Sequence, residues 1–187
     1  MTQRRDSARQ AWLRETLDQY ERPLVRYAQR LTGNLETARD VVQDAFSRLC
    51  SQDRADVDGH VAEWLFTVCR RRALDVRRKE NRMSAMPEAF RDAAASGDPP
   101  PPVVLELEEA ASRMLRILQA LPENQQEVIR LKFQGGLRYK EIAGVTGLSV
   151  GNVGFLMHTG MKAIRERLRE IDGETEPGVI KMERRAR

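Results

Sequence analysis

Along most of this chain apolar residues recur every three or four positions, the spacing of helices that bury one face. Trp12, Leu13, Leu17 and Tyr20 mark a first helix over residues 11–20. Pro23 suits a first helical turn, where its fixed φ is already helical and its missing N–H removes nothing. A second helix is therefore expected over residues 24–31, with Leu24, Val25, Tyr27, Ala28 and Leu31. Gly33 stops that helix, and Asn34 caps the next, which reaches about Cys50 with an inner face of Leu35, Ala38, Val42, Ala45, Phe46 and Leu49. The polar, Asp-rich residues 51–59 read as a loop. A helix from His60 to about Arg82 starts amphipathic, with Val61, Trp64, Leu65 and Val68, and ends as a basic run.

Gly97 and four consecutive prolines at 99–102 cannot continue a helix and favour an extended, semi-rigid path. Beyond them, helices are expected at about 104–119, 122–133, 139–145 and 150–170, with Pro122 and Glu123 where a first turn favours a proline and an acid. Strand-like alternation is hard to find. The expected fold is all-α, with two small helical domains at residues 8–82 and 104–170, a flexible Pro-rich linker at 83–103 and a disordered tail at 171–187.

Within the second half, residues 137–168 read as two short helices joined by a tight turn. Ala143 lets the second helix cross the first, Gly147 tolerates the positive φ of the turn, and Val153 closes the small core. Ser149 is the N-cap, so the second helix starts at Val150 and presents its first turns outward, as in a helix-turn-helix that reads DNA.

Composition narrows the function classes. Of 187 residues, 41% are hydrophobic, enough for modest cores, and 5% are aromatic. No apolar run approaches a membrane span and no signal segment is recognised, so a cytoplasmic protein without membrane insertion is expected. Cys50 and Cys69 lack CxxC spacing, and His60 and His158 lie far apart, which leaves metal, cofactor and acid/base chemistry without a constellation. No GxxxxGK[ST] phosphate loop occurs. An enzyme is not expected, and neither is a cofactor.

Charge is segregated. Residues 70–82 carry seven basic side chains against Asp75 and Glu80, whereas residues 83–127 carry eight acids against three arginines. That asymmetry argues for a face directed at a polyanion. Arg70, Arg71, Arg77, Arg78 and Lys79 are its candidate phosphate contacts, and Phe66 is the candidate ring for stacking a base, with Trp64 assigned to core packing. On the preceding helix Glu36, Asp40 and Asp44 fall every four positions beside Gln43, a repulsive stripe worth about 0.2–0.5 kcal/mol per pair. The helix dipole accounts for Glu36 alone, and Arg48 relieves part of the rest, so the stripe is read as facing a partner.

Three segments in register, ETARDVVQDAFSRLC (36–50), WLFTVCRRRALDVRRK (64–79) and LPENQQEVIRLKFQGGLRYKEIAGVTGLSVGNV (121–153), resemble regions two and four of the extracytoplasmic-function sigma factors of bacterial RNA polymerase. The resemblance implies a promoter-specificity subunit that works with RNA polymerase core enzyme and promoter DNA, under control of an anti-sigma factor or an inducing signal. It implies that Asp40, Gln43, Asp44 and Arg48 dock on the coiled-coil clamp of the largest polymerase subunit, with Phe46 and Leu49 in the core. It also implies that the basic helix serves the minus-ten element, with a flipped base held near residues 51–59, and that the helix-turn-helix holds the minus-thirty-five element.

Two departures stand out. Arg71 occupies a place where asparagine is frequent, and the first turns of the recognition helix carry Gly151, Asn152, Gly154, Phe155 and Leu156 instead of the usual cations. Phosphate contacts there fall to Lys140 and Lys162, with Arg165, Arg167 and Arg169 behind them. Asn152 is matched to adenine, and Ser149, Gly151, Phe155, His158 and Thr159 complete the candidate set. Gly151, Gly154 and Gly160 each cost about 1 kcal/mol of helix stability, offset either by close approach to DNA or by close helix packing. The rival reading is a stand-alone helix-turn-helix regulator.

Overall fold

The computed structural model describes residues 2–83 and 102–174, and among these every regular element is helical. Four helices form the N-terminal body: α1 (Thr2–Thr32), α2 (Leu35–Cys50), the short α3 (Arg54–Val57) and α4 (Val61–Met83). The C-terminal body holds α5 (Pro102–Gln119), α6 (Glu123–Phe133), α7 (Tyr139–Thr146) and α8 (Val150–Glu174).

Where two helices were expected at the N-terminus there is one, and Pro23 lies inside it. An internal proline removes a hydrogen bond and costs about 3 kcal/mol. Burial offsets this: Leu24, Tyr27 and Ala28 after the proline, and Trp12, Leu13 and Tyr20 before it, all pack into the core shared with α2 and α4. The turn into α2 follows the sequence reading. Gly33 adopts a left-handed φ of 75° and donates its N–H to the Gln29 carbonyl at 2.8 Å, and Asn34 Oδ1 accepts from the Thr37 N–H at 3.0 Å. At the other end of α2 the Arg9 guanidinium donates to the Cys50 and Gln52 carbonyls at 2.7 and 2.8 Å, supplying a cation where the helix leaves carbonyls bare.

The segment read as a loop at 51–59 contains α3, a single turn capped by Asp53 and anchored by Val57, which is buried. Two apolar residues in nine, Ala55 and Val57, leave no helical periodicity to read. The N-terminal core is closed by Val41, Val42, Ala45 and Leu49 of α2 against Leu65, Phe66, Cys69 and Ala73 of α4. Burial pushes the Cys69 thiol up to about 12, so it stays protonated, while Cys50 is exposed.

In the C-terminal body, α6, α7 and α8 surround Val128, Leu131, Leu137, Ile142 and Val153, all with no exposed surface. Glu141 reaches back to accept from the Arg138 N–H at the start of α7. Gly147 ends that helix in the left-handed region at φ 76°, donating to the Ala143 carbonyl at 2.9 Å. Ser149 Oγ then accepts from the Asn152 N–H at 3.2 Å and opens α8. Pro102, expected within the linker at 83–103, is the first residue of α5, a position that tolerates proline. α8 likewise runs past residue 170 to Glu174. The rest of the expected linker, and the tail beyond residue 174, lie outside the described residues.

Candidate nucleic-acid and polymerase interfaces

α8 places its side chains by its helical turn. Val153, Met157 and Ile164 point into the core, Gly151, Asn152, Phe155, His158 and Lys162 stand exposed on the open face, and Lys140 of α7 is exposed as well. Phe155 is 64% exposed, a large apolar ring with no intramolecular reason to be there. Met157 is the inward member of the Phe155, Leu156 and Met157 group. Lys162 stands 3.8 Å from Glu166, an exposed pair that leaves its charge accessible.

Two members of the candidate set have other partners. The Thr159 hydroxyl donates to the Phe155 carbonyl at 2.9 Å and accepts from Gln125 Nε2 at 3.3 Å, tying α8 to α6 and turning the side chain away from the open face. The Ser149 hydroxyl accepts from the helix terminus, so its role in this structure is the cap. The glycines also divide. A Cβ at Gly160 would lie 2.8 Å from Ile129 Cδ1, so this glycine exists for helix packing. A Cβ at Gly151 would meet nothing within 4 Å, and one at Gly154 only the Tyr139 ring at 3.9 Å. Open space at Gly151 is compatible with close approach of another molecule to the α8 backbone.

On α2, Asp40, Gln43 and Arg48 are exposed. Asp44 is half-buried, with Oδ2 3.1 Å from Arg48 and 3.5 Å from Arg72 of α4. Its charge is therefore shared between the expected i,i+4 partner and a second helix that spacing along one element does not reveal. Beside this stripe an open groove between α1 and α2, about 780 Å³, is lined by Leu17, Val25, Leu35, Val42 and Phe46 with Gln43 at its edge.

The basic helix α4 differs most from expectation. Phe66 is 1% exposed and packs edge-on to Tyr27 with ring centroids 5.3 Å apart, so it cannot stack a base in this arrangement. Trp64, assigned to the core, is only partly buried. The two are two positions apart, about 200° around a helix, and the amphipathic pattern at the start of α4 does not decide which side meets the C-terminal body. Arg70 is partly withdrawn too, a quarter of its side chain exposed, with its Nε 2.8 Å and its Nη2 3.4 Å from the Glu127 carboxylate of α6. Arg78 stands 3.6 Å from Asp75. Arg71 and Lys79 are exposed, and Arg77 lines a cleft between the two bodies with Arg30, Arg70 and Arg130.

That cleft holds residues the sequence reading did not single out. Tyr27 donates its hydroxyl to Glu127 Oε1 at 2.8 Å, and Arg30 donates to Gln126 Oε1 at 2.8 Å. Burial and the Glu127 carboxylate together push the Tyr27 phenol well above its ordinary range, which keeps the donated proton in place. Burial first, and the Arg30 charge second, lower Arg130. These partners are separated by about a hundred positions, and no local spacing announces them. Among the described residues no three His, Cys, Asp or Glu side chains gather as a metal site, and no helix is long and apolar enough to cross a membrane.

Residues 16–83 match the family described as Sigma-70 region 2, and residues 111–164 match Sigma-70, region 4. The chain is 30% identical over 171 residues to the ECF RNA polymerase sigma factor SigL of Mycobacterium tuberculosis, covering 88% of this chain and 93% of that one. It is 27% identical over 172 residues to SigW of Bacillus subtilis, covering 84% and 89%. Against SigE of Mycolicibacterium smegmatis the identity is 29% over 163 residues, covering 86% of this chain but only 63% of the relative. The solved structure of CnrH in complex with the cytosolic domain of CnrY aligns with a TM-score of 0.55 at 25% identity, over 86% of this chain and 90% of that one. With a region-2 body, a region-4 helix-turn-helix and near full-length similarity to SigL, the chain belongs to the ECF sigma factors of RNA polymerase.

Proposed function

We propose that this chain directs RNA polymerase core enzyme to specific promoters and starts transcription there, working in the cytoplasm as a binding subunit with no chemistry of its own. The observation that carries the reading is the open face of α8: a capped helix, held by a helix-turn-helix core, with Asn152, His158 and Phe155 exposed in its first turns. Asn152 reads a base edge, and Lys140 and Lys162 hold phosphates of the minus-thirty-five element. Asp40, Gln43, Asp44 and Arg48 dock on the polymerase, with the neighbouring apolar groove supplying contact area. Arg71, Arg77, Arg78 and Lys79 follow the minus-ten strand. Binding energy opens the duplex, and tethering the two bodies makes the second engagement intramolecular. The similar CnrH was solved with the cytosolic domain of CnrY, which supports control of this chain by a protein partner, an anti-sigma factor.

The test is transcription in vitro with purified sigma-free core and a promoter library. Start-site selection that depends on this chain, and that loses upstream-element preference in Asn152→Ala, is expected. Sequence-specific duplex binding without any core-dependent transcription would establish the stand-alone regulator instead.

A further inference from the structure

Four arginines converge on one cleft: Arg30 of α1, Arg70 and Arg77 of α4, and Arg130 of α6. Its volume is about 170 Å³, and Glu123, Asn124, Gln126 and Glu127 of α6 complete the polar lining. All four arginines are half-buried, and two carboxylates stand among them, an excess of two positive charges. Partners inside the cleft are unequally shared. Glu127 is engaged twice, with Arg70 Nε 2.8 Å from its Oε1 and the Tyr27 hydroxyl donating to the same oxygen at 2.8 Å. Arg30 donates to the neutral Gln126 amide oxygen at 2.8 Å. Arg130 is left over: its Nε is shielded from solvent without a hydrogen-bond partner, and burial first and the Arg30 charge second both oppose its positive charge. Glu123 and Asn124 also form the first turn of α6, whose cap, Pro122, offers no side-chain acceptor to the N–H groups there.

We propose that this cleft is a binding site for a phosphoryl dianion, free or at the end of a nucleotide, held by Arg130 together with Arg30 and Arg77. Charge, geometry and size agree on that class. A dianion balances the excess of two, and it turns the repulsion between Arg30 and Arg130 into attraction of both to a common centre. Guanidinium forks donate in pairs to phosphate oxygens, and the buried Arg130 Nε gains the acceptor it lacks. The uncapped first turn of α6 favours a negative charge in the same place. At about 30 Å³ per water the cleft equals five or six waters, room for one or two phosphoryl groups, whereas pockets for larger ligands begin at about 300 Å³. The sugar and base of a nucleotide therefore stay outside. With Glu127 engaged by Tyr27 and Arg70, the exposed Glu123 carboxylate is the group that opposes the anion. The site needs neither promoter nor polymerase and goes beyond the promoter-directing reading.

The experiment titrates the full chain with inorganic phosphate, pyrophosphate and ADP at fixed ionic strength, read by calorimetry and by the thermal unfolding midpoint. A saturable one-to-one response that chloride does not reproduce is expected. Arg130→Lys keeps a charge but loses Nε and the fork, and should weaken binding about tenfold or more. Arg77→Gln should weaken it about threefold, and Glu123→Gln should tighten it. Arg14→Gln, exposed on α1 outside the lining, should leave it unchanged. The helical signal checks the fold of each variant, and the gain expected in Glu123→Gln is one that misfolding does not imitate. ADP binding tighter than pyrophosphate identifies a nucleotide as the source and equal binding a free anion; either supports the site. A response that chloride reproduces, or that Arg130→Lys and Glu123→Gln both leave unchanged, reduces the cleft to general screening and overturns the proposal. It is also overturned if none of the three anions binds while Arg130→Lys lowers binding of a single-stranded oligonucleotide, which would make the cleft part of a strand path. Anion binding without core-dependent transcription removes the promoter-directing reading and leaves the site standing; transcription without anion binding does the reverse.

Discussion

The two nucleic-acid candidates of this molecule, α4 and α8, contrast in how their side chains are disposed. α8 keeps its candidate face open, with the core residues on the opposite side and its cap satisfied within the same turn. On α4, Arg70 is paired with another body and Phe66 is sealed, while Arg71, Arg72, Arg78 and Lys79 stay exposed, Arg72 and Arg78 in open ion pairs. The face of α8 is set by neighbours within its own body, the most distant of them Gln125, 34 positions from Thr159, whereas the state of α4 depends on which body lies across it. The difference separates a surface wholly open to a reader from one covered at Arg70 and Phe66 and open at its remaining cations.

The largest effect that can break this contrast is at Phe66. Fully buried between α1 and the C-terminal body, it should cost about 3–5 kcal/mol when changed to alanine, measured by urea unfolding of the full chain. A base-stacking side chain waiting on the surface would change stability by no more than about 0.5 kcal/mol. A result in that lower range would return Phe66 to the minus-ten face.

The glycines of α8 sharpen the contrast at intermediate size. Gly160→Leu should cost about 1–3 kcal/mol, because the added side chain meets Ile129 and Gln125 across a closed helix contact. Gly151→Ala should instead gain up to about 1 kcal/mol, since it removes a helix-weakening glycine in open space. If Gly151→Ala also weakens binding of upstream-element duplex, that glycine serves close approach of DNA to the backbone. Unchanged binding would mean that its place on the open face has no consequence for recognition.

How much of this was legible beforehand follows the same division. Gly33, Asn34, Gly147 and Ser149 act through partners within four residues, so the turns and caps they form follow from local spacing. Ala38, Val42, Ala45 and Leu49 of α2 and Val153 of α8 turn inward as periodicity predicts, whereas Leu35, expected inside at the first turn of α2, is exposed and Val41 is buried instead. Pro23 misled because tertiary burial on both sides outweighs a local penalty. The position of Thr159 along α8 predicts the reading face because spacing on one helix does not reveal the hydrogen bond to Gln125 on another. The sealing of Phe66, and the pairing of Arg70 with Glu127, depend on where the second body sits. That is decided by pairs such as Tyr27 and Glu127 that no window along the chain contains.

The smallest effect concerns Asp44, which stands where both kinds of reading meet. Its carboxylate lies 3.1 Å from Arg48 on the same helix and 3.5 Å from Arg72 on α4, with about a third of the side chain exposed. Ion pairs in such a setting contribute about 0–1 kcal/mol, because water and salt screen them and two long side chains must be held still. Asp44→Asn should therefore leave thermal unfolding almost unchanged. Retention on core polymerase should fall, and fall further when Asp40→Asn is added, since Asp40 is exposed on the same stripe. A stability loss well above 1 kcal/mol would instead make Asp44 a strut between α2 and α4. Docking would then rest on Asp40 and Gln43, and the acid stripe would be divided between structure and recognition in the way α4 already is.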